Sequence, residues 1–95
     1  LQAGVLAAGL AGIDNETDPG KRLDIDMYTE ADKAKGAKKL PLNLLDAIRA
    51  LQKDKSFRQS MGKDFCSAYI KLKNKEWDKY THHLTQWERD TTLDC

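Results

Sequence analysis

Leu40-Pro41-Leu42-Asn43-Leu44-Leu45-Asp46-Ala47-Ile48-Arg49-Ala50-Leu51 decides the fold class. Leu40-Pro41-Leu42 leads into Asn43, whose short polar side chain suits a helix N-cap. Asp46 then stands at the third helical position. Leu44, Leu45, Ile48 and Leu51 recur at spacings of three and four, the signature of a helix with one apolar face. Downstream, Asp54 or Ser56 is placed to cap a short helix carrying Phe57 and Met61, which Gly62 stops. A long helix is expected from about Asp64. Phe65, Tyr69, Leu72, Trp77, Tyr80 and Leu84 make its expected apolar face, with Cys66 and Ile70 beside it. Thr85-Gln86-Trp87-Glu88 reads as a capping box that restarts a last helix through Trp87 to about Leu93. No segment alternates with period two, so no strand is expected, and there is no internal repeat. The chain reads as mostly α.

Upstream the pattern differs. Leu1–Ile13 carries no charge and is rich in alanine, with Gly4, Gly9 and Gly12 among its residues. Thirteen helical residues span only about 20 Å, too short to cross a bilayer. The run reads as the end of a buried helix, closing near Gly12. A helix apolar all round needs a core on every side. The chain also opens on Leu1, inside that apolar run, so the expectation is a piece of a larger protein. Residues 14–42 read as a loop region and 43–95 as a helical tail. In the loop, Asp18-Pro19-Gly20 is a turn signal: proline presets φ and glycine supplies a positive φ. A short polar helical turn is expected within 29–39, capped by Thr29 with Asp32 three residues on.

The whole chain has 95 residues, 16 Lys+Arg against 15 Asp+Glu and a net charge of +1. That balance offers no electrostatic reason for nucleic acid or an anionic membrane as partner. A compact chain of this length buries roughly 65% of its unfolded surface, enough for one modest core. The two cysteines, Cys66 and Cys95, do not make the disulfide framework of a small secreted domain. They read as a half-buried thiol and an exposed terminal one, which fits a cytoplasmic location.

The residues that carry chemistry elsewhere form no constellation here. Asp14, Glu16, Asp18, Asp24 and Asp26 crowd the loop, but their spacing is not that of a calcium-binding loop, and Pro19 sits where a ligand belongs. Lys33, Lys35, Lys38 and Lys39 have no arginine or aromatic partner and read as a solvated linker. His82 and His83 are adjacent, so on a helix they point about 100° apart and do not share a metal. Cys66 has no histidine placed in sequence to activate it and reads as core filler. No catalytic, cofactor-binding or metal-binding residue is assigned.

The order of these features resembles the C-terminal end of glutamine synthetase. The resemblance rests on Ala7-Ala8-Gly9-Leu10-Ala11-Gly12-Ile13, Asp14-Asn15-Glu16, Asp18-Pro19-Gly20 and Met27-Tyr28. It continues through Leu44–Leu51 and Phe65-Cys66-Ser67-Ala68-Tyr69-Ile70-Lys71-Leu72-Lys73. The ending, His83 to Leu93, is similar to the proteobacterial branch called type III, which also resembles glutamate–methylamine ligase. It departs from the ending of the ordinary bacterial enzyme, which reaches into the opposite ring of a dodecamer.

The resemblance implies a helical C-terminal segment of an α+β catalytic domain. It also implies a ligase that phosphorylates the γ-carboxylate of glutamate with ATP, using magnesium or manganese, before ammonia attacks. The family's metal, substrate and phosphate residues match no position here. The segment is therefore expected to be structural, inactive alone and without a bound cofactor. Its partners are then the rest of the catalytic domain and neighbouring subunits of a homo-oligomeric ring. Tyr28 falls where the ordinary bacterial enzyme carries its adenylylated tyrosine, which makes it a candidate for regulatory modification. Two alternatives stand beside this: a piece of a glutamate–methylamine ligase, and a stand-alone helical protein-interaction module.

Overall fold

The computed structural model describes residues 1–34 and 36–92. Among the described residues five α-helices follow one another: α1 (Gln2–Asp14), α2 (Leu44–Lys53), α3 (Lys55–Met61), α4 (Lys63–Thr81) and α5 (Gln86–Thr92). Among the described residues there is no strand. The chain divides into two compact units, Leu1–Leu40 and Pro41–Cys95.

In the first unit, α1 runs two residues beyond Gly12, and its end is closed by a different residue from the one expected. The Thr17 N–H donates to the Gly12 carbonyl at 2.9 Å and the Glu16 N–H to the Ile13 carbonyl at 3.1 Å. This is a Schellman closure, in which one residue must turn left-handed. Glu16, at φ 50°, takes that place. The loop then turns at Gly20, whose φ is 81° and whose N–H donates to Asp18 Oδ1 at 2.8 Å. The polar turn in 29–39 is a single 3-10 turn over Ala31–Lys33. Its N-cap is Glu30, not Thr29, and no side-chain oxygen caps it. Glu30 instead pairs with Lys33.

In the second unit the caps fall where the residues place them. Asn43 Oδ1 accepts the Asp46 N–H at 2.9 Å, and its Nδ2 donates to Asp46 Oδ2 at 3.0 Å. Asp54, rather than Ser56, caps α3 by accepting the Phe57 N–H at 2.9 Å. Gly62 ends α3 and precedes α4 with φ 95° and ψ 124°. Thr85 and Glu88 form the reciprocal box. Glu88 Oε2 accepts the Thr85 N–H and the Thr85 hydroxyl, each at 2.8 Å. The Glu88 N–H donates to Thr85 Oγ1 at 3.2 Å.

α2, α3 and α4 pack on one another, and the buried apolar side chains at their junction are Ile48, Cys66 and Ile70. This corrects the expected face of α4. Phe65, Tyr69, Leu72 and Tyr80 are exposed, and Leu84 lies beyond the helix end. At 100° per residue, Cys66, Ile70, Lys73 and Trp77 share one line, while Phe65, Tyr69, Leu72 and Tyr80 share the neighbouring one. Both lines are largely apolar. α2 and α3 cover the first, and Trp77 on it is half-buried against the Tyr80 ring, 5.6 Å between centroids.

Candidate functional site

Three carboxylates of the acidic loop, Asp18, Asp24 and Asp26, serve local backbone or a neighbouring base. Asp18 holds the Gly20 N–H. Asp26 Oδ1 accepts the Tyr28 N–H at 2.9 Å. Asp24 pairs with Arg22 at 2.6 Å. Among the described residues no three His, Cys, Asp or Glu side chains gather closely enough to hold a metal. Of the lysine cluster, Lys33 is paired with Glu30, Lys38 and Lys39 are exposed, and Lys35 lies outside the described residues.

Tyr28 is fully exposed within the chain, on the turn that follows Asp26. His82 and His83 close α4 rather than forming a pair. His82 Nδ1 carries a proton to the Asp78 carbonyl oxygen at 2.6 Å. The His83 N–H donates to the Tyr80 carbonyl at 3.0 Å. The Asp78 carbonyl also accepts the His82 N–H at 3.2 Å and the Thr81 hydroxyl at 3.0 Å, so the last turn is closed mainly by backbone N–H groups. Cys66 is more deeply buried than the half-buried thiol expected, and its Sγ faces the Arg58 carbonyl at 3.9 Å. Cys95 lies outside the described residues.

The second unit carries several grooves along its helices. One of about 340 Å³ is lined by Leu42, Asn43, Leu44, Glu76, Trp77 and Tyr80. Glu76 there is engaged by Lys73 at 2.6 Å. Lys73 also stands 5.8 Å from the centre of the Tyr69 ring. The Glu76 hydrogen bond raises the Lys73 pKa above its ordinary value. No described helix is long and apolar enough to cross a membrane.

What the geometry leaves conspicuous is exposed apolar surface. Along α1, Val5 is 65% exposed, Leu6 64%, Leu10 52% and Ile13 73%. The outer line of α4 adds Phe65 and Leu72.

Comparison with known proteins accounts for the whole stretch. The model of the glutamine synthetase catalytic domain matches residues 1–92. A glutamine synthetase of Rhizobium leguminosarum bv. phaseoli is 55% identical over 94 residues, covering 99% of this chain and 22% of that protein. A glutamate–methylamine ligase of Methyloversatilis universalis is 37% identical over 95 residues, covering 97% of this chain and 21% of that protein. The solved structure of apo GmaS superposes with a TM-score of 0.88 at 53% identity, covering 98% of this chain and 22% of that one. GmaS in complex with ADP gives 0.89 at the same identity, covering 98% and 21%. The chain thus spans about a fifth of the length of these relatives. With its helix order, its caps and nearly every residue accounted for, the chain belongs to the glutamine synthetase catalytic-domain family.

Proposed function

We propose that this chain is the C-terminal part of a catalytic domain whose full-length enzyme joins the γ-carboxylate of glutamate to ammonia. The reaction would run through γ-glutamyl phosphate formed with ATP. The observation that carries this reading is the family match across residues 1–92. The role of the segment is structural. α1 is the end of a helix buried by the rest of the catalytic domain, residues 14–42 are a loop region, and 43–95 form a helical tail. In the full-length enzyme, ATP and magnesium or manganese supply and stabilise the transferred phosphoryl group. The described residues offer no ligand set for the metal, so no step of that transfer is assigned to this chain. Its partners are the rest of the domain and the neighbouring subunits of a homo-oligomeric ring, in the cytoplasm.

Methylamine is the second reading of the amine. It is favoured by the glutamate–methylamine ligase among the relatives. The test is to assay the full-length protein with glutamate, ATP and magnesium, supplying ammonia or methylamine, and to repeat it with the 95-residue chain. Turnover is expected from the full-length protein and none from the chain. The ratio of kcat/KM for the two amines decides between them. Amide formation by the isolated chain would overturn the structural role, and an inactive full-length protein would overturn the ligase. A cooperative melt of the isolated chain, together with an inactive full-length protein, would favour the interaction module.

Tyr28 is proposed as a regulatory modification site because it is fully exposed on its turn. Peptide mass analysis of protein from cells grown with scarce and abundant nitrogen checks it. An unmodified Tyr28 peptide under both conditions would reject the proposal.

A further inference from the structure

We draw no further inference here: the strongest candidate, the exposed stripe of α4 formed by Phe65, Tyr69, Leu72 and Tyr80, is an unpartnered apolar face, and nothing in the structure shows what covers it.

Discussion

Gly62 joins α3 to α4 with φ 95° and ψ 124°, a backbone conformation that residues with a Cβ avoid. A Cβ added there would meet only the Phe65 Cβ, at 3.9 Å, which is ordinary contact. The cost of Gly62→Ala is therefore one of backbone strain, about 1–3 kcal/mol, and denaturant unfolding of the chain measures it. A change below roughly 0.5 kcal/mol would mean the junction relaxes freely. Glu16 makes the converse case, since it holds a left-handed place that glycine fills without strain. Glu16→Gly is expected to stabilise the end of α1. Glu88 adds a pH dependence. The Thr85 N–H, and then the Thr85 hydroxyl, hold its carboxyl below the ordinary value of 4.5. A depressed carboxylate contributes stability above its unfolded pKa and loses it as pH falls through the folded one. The α5 cap should therefore survive at pH 4.5 and fray on further acidification. The Thr85 amide resonance, followed by NMR, reports it, and Glu88→Gln should remove the transition. A midpoint at or above the ordinary value would contradict the capping role.

The helices separate into what is set locally and what is set by neighbours. Caps at Asn43, Asp54 and Thr85 are decided within three residues, so their side-chain chemistry was enough to place them. The buried line of α4 was not legible in the same way. Its apolar arc spans two adjacent lines, and only the packing of α2 and α3 selects Cys66 and Ile70 over Phe65 and Leu72. Ile70→Ala should cost about 2–5 kcal/mol by leaving a cavity among three helices. Leu72, 60% exposed, should tolerate alanine within about 0.5 kcal/mol in the isolated chain. Equal losses at the two positions, read from thermal melts by circular dichroism, would show that the aromatic line is covered even there. The expected cap at Thr29 failed for a local reason of its own: the Glu30–Lys33 pair starts the 3-10 turn one residue later.

At the scale of the molecule, no side-chain cluster among the described residues spells out a reaction. The family was legible only through the ordered resemblance, and the proposed ligase chemistry follows from it, because the chain spans about a fifth of its relatives' length. On the reading proposed above, the rest of the catalytic domain covers α1. A helix with Val5, Leu6, Leu10 and Ile13 all more than half exposed has no reason in water to keep those side chains apolar. If the remainder of a catalytic domain buries them, each contributes about 1.5–3 kcal/mol there and almost nothing in the isolated chain. Replacing Leu6 and Leu10 together with aspartate should then keep the 95-residue chain soluble, with only the modest loss of α1 helicity that aspartate's lower helix propensity brings. The same pair in the full-length protein should abolish soluble, folded enzyme, because two carboxylates would be buried without partners. The milder Leu6→Ala and Leu10→Ala pair should lower its melting temperature while keeping it soluble. Full-length protein that accepts both aspartates with an unchanged melting temperature would show that α1 faces solvent, and the proposal that it is a buried helix end would fall.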